Sequence, residues 1–252
     1  MNKIDILIPV FIDHDDRIKN CDIVINYLST FDFINIYIHE TYKDTRKLEN
    51  RYNNIKYFSE TTNLDYYNKM YAFNFLSRKS NEEIIGLYDV DVLVLSSNFK
   101  IILNVFKDKV CDVLYPYDGN FYNVPKEIVE KLKINSKTEV DLNKCTLFNS
   151  NSRGGAVFFN KNVYFEGGLS NEYFKNVGYD DDEIFNRFKI LDYKVARTKT
   201  PLLHLDHFRG KTSYNFNNYT ENNQKVLNET SKRNKEQLKE YIKTWNWVNV
   251  NV

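Results

Sequence analysis

Short apolar segments alternate with segments of helical periodicity along the first 117 residues, and this alternation restricts the fold more than any other feature. IDILIPV at 4–10 is rich in branched apolar residues, and the segment at 18–28 repeats apolar residues at helical spacing. INIYIHE at 34–40 and IKYFS at 55–59 are typical of strands. Strands that alternate with helices form a mostly parallel sheet with helices on both faces. The pattern therefore predicts an α/β fold.

The same patterns predict the remaining elements, although the second half of the chain is less regular. Tyr66, Met70, Phe73 and Leu76 follow the spacing of one helix face. The region 118–150 is polar, and we predict it to be irregular apart from one short helix in VPKEIVEKLK. The other predicted elements are strands at 84–88, 110–117 and 153–160 and helices at 99–106, 180–191 and 223–243.

The composition is that of a globular chain from a reducing compartment. Of 252 residues, 42% are hydrophobic, which suffices for a substantial core. The 35 Lys and Arg residues balance 34 Asp and Glu residues, so no overall charge favours a nucleic-acid partner. Cys21, Cys111 and Cys145 lie far apart and indicate neither a zinc site nor a disulfide framework. No apolar run reaches the roughly 18 residues of a membrane span and no signal peptide is recognised, so we predict a cytoplasmic location.

Two aspartates directly follow the predicted strand at 84–88. Asp89 and Asp91 stand one residue apart in YDVDVLVLSS, between two apolar runs. Open α/β sheets bind ligands at the C-terminal ends of their strands, and in an extended segment residues i and i+2 point to the same side. Both carboxylates can therefore face one divalent cation. A turn capped by aspartates explains the pattern equally well, so the pair alone decides nothing.

A second acidic cluster stands in GYDDDEIFNR at 178–187. Its four consecutive acids repel one another, and the partial positive charge of a helix N-terminus relieves part of that repulsion. An ordinary solvated helix start is one interpretation. The glycines that precede the cluster, RGG at 153–155 and EGG at 166–168, favour another, in which one carboxylate is a general base for a substrate hydroxyl.

Half of the four histidines fall within LLHLDH at 202–207. His204 and His207 stand in an apolar context, and imidazole is a ligand for Mn²⁺ or Zn²⁺, although a lone histidine is more often structural. Four motifs are absent from the sequence: a GxxxxGK[ST] phosphate loop, a GxGxxG after the first strand, a GxSxG elbow and an HExxH helix. ATPase, dehydrogenase, hydrolase and zincin interpretations therefore lose their main support.

Taken in this order, the motifs resemble those of metal-dependent glycosyltransferases of the GT-A fold, in particular the β-1,4-galactosyltransferase C-terminal-domain family and its bacterial relatives. IPV with the charged loop after it, YYNKMYAFNFL and YDVDVL resemble the nucleotide-binding strand, the FNRAKLLN helix and the DVD metal motif of that family. RGGAVFF, GGLSNEYF and GYDDDEIFNR are similar to its GG…GGEDDD…NR signature, the most specific part of a match that extends over 4–208. KNVG stands in place of W-G-W-G, so a tryptophan that contacts donor and acceptor in the family is missing.

The resemblance implies a single Rossmann-like sheet, mixed and mostly parallel, flanked by helices. One domain at 1–216 would contain a nucleotide-sugar-binding half at 1–117 and an acceptor and catalytic half at 118–216. A helical appendage would follow at 217–252.

The resemblance also implies a role for each motif residue. Asp181 falls on the catalytic aspartate, and a different gap placement would make Asp180 the base. Asp91 and His207 would hold Mn²⁺, or Mg²⁺ in its place, with His204 as a third ligand. The implied acceptor-binding residues are Asp180, Asp182, Gly154 and Gly155. The implied donor-binding residues are Pro9, Phe11, Asp13, Arg17, Asn68, Lys69, Asp89 and Arg153.

The implied reaction transfers a hexose or N-acetylhexosamine, with galactose or GalNAc favoured, from a UDP-sugar to a glycan or lipid-linked saccharide, with inversion, as in polysaccharide biosynthesis. Two other interpretations stay open, a non-catalytic nucleotide- or glycan-binding module on the same fold and a metal-dependent phosphohydrolase. The terminal helix with Trp245 and Trp247 is either a peripheral anchor at the inner face of the membrane or, as its mixed charge favours, an ordinary packing or homo-oligomer helix.

Overall fold

The computed structural model describes residues 3–132, 140–209 and 218–249. The strands are β1 (Ile4–Phe11), β2 (Ile34–Tyr42), β3 (Lys56–Thr61), β4 (Ile84–Tyr88), β5 (Val92–Val94), β6 (Val113–Tyr115), β7 (Phe121–Val124), β8 (Thr146–Asn149), β9 (Ala156–Asn160), β10 (Val195–Arg197) and β11 (Leu202–Leu205). The helices are α1 (Asp15–Leu28), α2 (Lys69–Lys79), α3 (Ser96–Lys107), α4 (Lys126–Val129), α5 (Lys161–Glu166), α6 (Asp180–Ile190), α7 (Thr220–Ser231) and α8 (Lys235–Lys243). A 3₁₀ turn spans Leu142–Lys144.

Seven strands form the large sheet, in the order β10-β6-β9-β4-β1-β2-β3. β1 runs parallel to β2 and β4, β2 runs parallel to β3, and β6 runs parallel to β10. β9 is antiparallel to both of its neighbours, β4 and β6. The sheet is thus mixed and mostly parallel, and the predicted α/β fold class is confirmed.

β1 lies inside this sheet because nearly all of its residues are apolar. Ile4 to Val10 are buried without interruption, as are all residues of β4, which is the pattern of parallel strands covered on both faces. Asp5 is the polar exception, and its carboxylate accepts hydrogen bonds from the Asn35 side chain and from two backbone N–H groups. Because β1 and β4 are parallel neighbours, their C-terminal ends open at the same edge of the sheet.

A second sheet of four strands, β5-β11-β7-β8, accompanies the single sheet that we predicted. β5 follows β4 after only three residues, so the small sheet begins at the edge where β4 ends. β7 and β8 come from the region 118–150, and our prediction that this region is irregular apart from a short helix is wrong in that respect. All four residues of β8 are exposed, so no alternation of apolar and polar burial marked it in the sequence.

The C-terminal part forms α7 and α8 instead of the single helix predicted over 223–243. Asn234 interrupts the helix and caps α8, since its side chain accepts from the Gln237 N–H while Gln237 accepts from the Asn234 N–H. Trp245 is fully buried against Gly168, and Trp247 Nε1 donates to the Gly168 carbonyl at 3.2 Å. Buried tryptophans offer little apolar surface to a bilayer, so this geometry favours the packing interpretation over the anchor.

Two further predictions concern the whole chain. The domain boundary predicted between 216 and 217 lies outside the described residues. Over the ranges that the structure describes, no helix is both long enough and apolar enough to cross a membrane.

Candidate active site

A cleft of about 380 Å³ opens where the C-terminal ends of β1 and β4 meet the small sheet. Ligands bind at this edge in open α/β sheets. The segments before β9, at the start of α6 and after β11 complete its walls. The predicted site residues in the lining are Pro9, Phe11, Arg17, Lys69, Asp89, Asp91, Arg153, Gly154, Gly155, Asp180, Asp181, Asp182, His204 and His207.

Three side chains in this cleft have the chemistry and spacing of a metal site. Asp91, His204 and His207 each offer one ligand atom, and these atoms lie within 4.8 Å of one another. His207 Nε2 lies 3.0 Å from Asp91 Oδ2, and His204 Nε2 lies 4.0 Å from the same oxygen. The Leu205 N–H donates to the Asp91 carbonyl at 2.7 Å, which fixes the histidine strand β11 against the turn after β4.

Each histidine is oriented by a partner of its other ring nitrogen. His204 Nδ1 lies 2.8 Å from Asn123 Oδ1, and His207 Nδ1 lies 2.7 Å from the Phe208 carbonyl. These oxygens accept from Nδ1, which directs both Nε2 atoms at Asp91. Burial lowers the pKa of His204 to about 4, so its ring is neutral at pH 7. Imidazole with carboxylate is a donor set that suits Mn²⁺ or Zn²⁺, and the residues present therefore fit a divalent metal.

Asp91 is ionised despite its burial. Arg17 Nη1 lies 3.3 Å from Asp91 Oδ2, while Arg17 Nε donates to Asp13 Oδ1 at 2.7 Å. Burial opposes ionisation, but the close contact with His207 Nε2 and the charge of Arg17 hold the pKa of Asp91 well below its usual range. A carboxylate that stays ionised in a partly buried cleft is well suited to bind a cation.

Lys69 joins the turn after β4 to the acidic cluster of α6. Its Nζ lies 3.3 Å from Asp89 Oδ1 and 3.3 Å from Asp180 Oδ2. Burial alone would lower the pKa of Lys69, but Asp89, Asp180 and Asp181 together raise it, so the ammonium group is charged. Burial and the charges of Asp91 and Asp180 raise the pKa of Asp89 against the effect of Lys69.

Asp181 lies against the backbone of Gly154, in the first turn of α6. A Cβ atom at Gly154 would lie 2.4 Å from Asp181 Oδ2, so any residue other than glycine would displace this carboxylate. Burial raises the pKa of Asp181 to about 8, with Asp180 and Asp89 adding to the effect and Lys69 opposing it. A carboxylate that titrates near neutrality can accept a proton from a reacting group at that pH.

The sequence matches no family model and no curated protein, whereas the fold matches many solved structures. TarS 1–349 of S. aureus in complex with UDP-GlcNAc superimposes with a TM-score of 0.63 at 12% identity, over 95% of this chain and 70% of TarS. The catalytic domain of Drosophila β1,4-galactosyltransferase 7 with xylobiose gives a TM-score of 0.51 at 14% identity, over 92% of this chain and 82% of that domain. The fold is the GT-A glycosyltransferase fold. Another structure of TarS 1–349 gives a TM-score of 0.56 at 14% identity over 81% of this chain. That match covers 60% of TarS 1–349, so this chain spans less than two thirds of its length.

Two of the site residues that we predicted from the sequence, Asn68 and Asp13, do not line the cleft of about 380 Å³, which we call the main cleft. Asn68 caps α2, and its side chain accepts from the Tyr71 N–H at 3.1 Å. Asp13 lines a second cleft of about 300 Å³, which shares Phe11 with the first. Arg153, which does line the main cleft, donates to Asp182 Oδ1 at 2.6 Å.

The lining also contains residues that we did not predict. Phe121 comes from β7 and Phe148 from β8, two strands that we did not predict, and Arg209 follows His207 by two residues. The position of Arg209 beside His207 is a signal that the sequence offered, whereas no motif marks the two phenylalanines. The others are Tyr67, Val90, Asn149, Asn151, Ser152, Val177, Gly178 and Tyr179.

Proposed function

We propose that this protein is a metal-dependent glycosyltransferase that moves a hexose or N-acetylhexosamine from a UDP-sugar to a hydroxyl group of a saccharide. One observation carries the proposal: a cleft of a GT-A fold combines a His/Asp metal triad with a half-buried aspartate whose pKa is raised to about 8. The TarS complex contains UDP-GlcNAc, and a mutant of Drosophila β1,4-galactosyltransferase 7 was solved with manganese, UDP-Gal and xylobiose. These ligands support the choice of metal, donor and acceptor class.

Asp91, His204 and His207 would hold Mn²⁺, with Mg²⁺ as the alternative. When bound, the ion neutralises negative charge on the donor diphosphate. Arg17, whose guanidinium group lies 3.3 Å from Asp91, adds a second cation for the same phosphates. The nucleoside would extend into the second cleft, where Phe11 offers an aromatic surface and Asp13 a carboxylate for uracil or ribose.

Asp181 is the general base for the attacking hydroxyl group. The acceptor oxygen forms its bond to the anomeric carbon while the bond from that carbon to the diphosphate oxygen breaks. The electron pair leaves with the diphosphate, the acceptor proton moves to Asp181, and the anomeric centre inverts. Because its pKa is raised, ionised Asp181 is a stronger base than an ordinary carboxylate.

The acceptor would lie beside the base. Asp180 and Asp182 flank Asp181, and their carboxylates can accept hydrogen bonds from sugar hydroxyl groups. Gly154 and Gly155 line the same part of the cleft, and they let its walls pack closely, because a Cβ atom at Gly154 would meet Asp181 and one at Gly155 would lie 2.7 Å from Leu202 Cδ2. We propose a glycan or a lipid-linked saccharide as the acceptor and galactose or GalNAc as the favoured donor sugar.

The test is release of UDP from UDP-Gal, UDP-GalNAc, UDP-Glc and UDP-GlcNAc, to water or to a saccharide. We expect at least one donor to react in the presence of Mn²⁺, and chelation to abolish both the reaction and the thermal stabilisation by that donor. Asp91→Ala should lose the metal-dependent stabilisation, whereas Glu236→Gln, a substitution on exposed α8 surface, should retain it. Binding without UDP release would indicate a non-catalytic module, and turnover of simple phosphate esters without sugar transfer would indicate a phosphohydrolase.

A further inference from the structure

A bulge in β8 presents an apolar ring at the rim of an otherwise polar cleft. β8 pairs with β7 so that Tyr122 faces Leu147 and Phe121 faces Asn149, which leaves Phe148 as the extra residue between the two pairs. Bulges interrupt strand pairing and re-aim side chains, often beside active sites. Phe148 lines the cleft, yet 61% of its surface is exposed. An exposed phenyl ring in such a place gives up the stabilisation that burial would provide.

Phe148 ends a row of rings that begins at the metal triad. The ring centroids of His207 and His204 are 5.3 Å apart, those of His204 and Phe121 are 5.4 Å apart, and those of Phe121 and Phe148 are 6.3 Å apart. The Arg209 guanidinium lies 5.3 Å from the Phe148 ring centroid. The exposed end of the row therefore belongs to the same cleft as the metal ligands.

The residues that follow Phe148 in the sequence lie on the side of the cleft that contains Asp181. They are not on the elements that carry Arg17 and Lys69, the cations proposed to bind the donor. Asn149, Asn151 and Ser152 line the cleft between Phe148 and Gly154, against which Asp181 lies. This segment is held in place, since Arg197 donates to the Ser152 carbonyl at 2.9 Å and Tyr117 donates to the Gly154 carbonyl at 2.7 Å. Arg17 and Lys69 come instead from α1 and α2. The neighbours of Phe148 thus point to the acceptor side of the site.

We infer that Phe148 is the platform on which a pyranose ring of the acceptor packs. This inference rests on the proposed function and names a part of its acceptor site. One face of a pyranose is formed by C–H groups, which pack against the electron-rich face of an aromatic ring, while the hydroxyl groups around the sugar find partners in the amides and hydroxyl group of Asn149, Asn151 and Ser152. An apolar ring beside several polar groups is the combination that a saccharide needs.

The test uses methyl β-glycosides of glucose, galactose, GlcNAc and GalNAc, together with xylobiose, as probes in saturation-transfer NMR with the full-length protein, UDP and Mg²⁺. We expect at least one probe to bind, with Phe148→Ala raising its Kd roughly 3- to 10-fold and Phe148→Trp restoring it. Leu147→Ala is the matched control, because Leu147 is the adjacent residue of β8, is 48% exposed and is not among the described lining residues. UDP-dependent thermal stabilisation should be the same in Phe148→Ala and Leu147→Ala.

The outcomes separate this inference from the proposed function. A wild-type protein that releases no UDP from any UDP-sugar with Mn²⁺ contradicts the glycosyltransferase itself. A protein that releases UDP but binds none of the saccharides, or binds them equally well as Phe148→Ala, overturns the platform and leaves the glycosyltransferase standing. An equal loss of saccharide binding in Leu147→Ala also overturns it, because the effect would then arise from the hairpin as a whole.

Discussion

At the scale of single residues, the site depends on how a few partly buried charges compensate one another. Lys69 is shared between Asp89 and Asp180, while Arg17 is shared between Asp13 and Asp91. At Asp181, burial and the charges of Asp180 and Asp89 outweigh the charge of Lys69, and the pKa of Asp181 is raised in consequence. The same imbalance that suits Asp181 to the proposed role of base also makes its ionised form costly to the fold.

The pH dependence of transfer should follow the ionisation of Asp181. A base must be deprotonated, so we expect the rate to rise with pH and to level off above about pH 8. Lys69 lowers the pKa of Asp181, so Lys69→Met should move the rise to higher pH. The measurement is the pH profile of UDP release for both proteins at saturating Mn²⁺. A profile that keeps its midpoint in Lys69→Met would contradict the assignment of Asp181.

Asp181→Asn should lower the rate of transfer and raise the stability of the fold at pH 8. Transfer should fall by roughly 10²- to 10⁴-fold because the general base is lost, while Mn²⁺-dependent UDP binding persists. The folded-state pKa of Asp181 is raised, so its contribution to stability is greatest below the unfolded pKa near 4 and is lost as pH rises towards 8. At pH 8 the variant should therefore be more stable than the wild type by roughly 1–3 kcal/mol in urea unfolding, with the difference shrinking towards pH 5. Unchanged turnover would contradict the role of Asp181 as the base.

At the scale of elements, α6 carries Asp181, the proposed base, on a buried scaffold. Glu183 and Arg187 are fully buried, with Arg187 Nε 2.9 Å from Glu183 Oε1. Thr230 of α7 donates to the same Glu183 oxygen at 3.0 Å, and Arg187 donates to the carbonyls of Gly167 and Leu169. This network joins α6 to the loop before it and to α7, and so fixes the first turn of α6 in the cleft.

Glu183→Gln should destabilise the fold strongly, because it leaves the Arg187 charge buried without a carboxylate. Removing one partner of a buried ion pair costs roughly 3–5 kcal/mol. The measurement is the midpoint of urea unfolding at pH 7. Glu236→Gln removes an exposed partner of Lys239 and serves as the control, with no shift expected. Equal midpoints for the two variants would mean that the buried pair does not hold α6.

Elements with a continuous apolar run or with a clear periodicity of apolar residues could be predicted from the sequence, whereas short or exposed elements could not. Continuous apolar runs indicate β1 and β4, and an acidic first turn with an apolar face indicates α6. β8 is exposed along its whole length and β10 has only three residues, so neither has a period to detect. The same limit applies to the site: Asp91 and His207 stand in motifs, while Phe148 owes its position to a bulge in a strand that the sequence does not reveal. The contact of Lys69 with Asp180 joins residues far apart in the chain and becomes visible only in the fold.

At the scale of the whole molecule, the C-terminal segment is tied to the body that contains the cleft. Asn223 exchanges hydrogen bonds with the backbone of Lys175, and Trp247 donates to the Gly168 carbonyl. Arg78 at the end of α2 donates in turn to the Trp247 carbonyl. These contacts reach the segment between α5 and α6 and the end of α2, so loss of α7 and α8 would free the helix that carries Asp181.

We therefore expect residues 218–249 to unfold together with the rest of the protein. The chain contains two tryptophans, Trp245 and Trp247, and both lie in this segment, so tryptophan fluorescence reports its release while far-UV circular dichroism reports the whole fold. The two urea transitions should coincide, because the segment shares its buried contacts with α6 and the loop around Gly168 and has little core of its own. Trp247→Phe, which leaves the fully buried Trp245 as the single probe, should give the same midpoint by both signals. A fluorescence transition at lower urea than the dichroism transition would show that α7 and α8 form a separate unit, and UDP release measured between the two midpoints would then decide whether the site needs them.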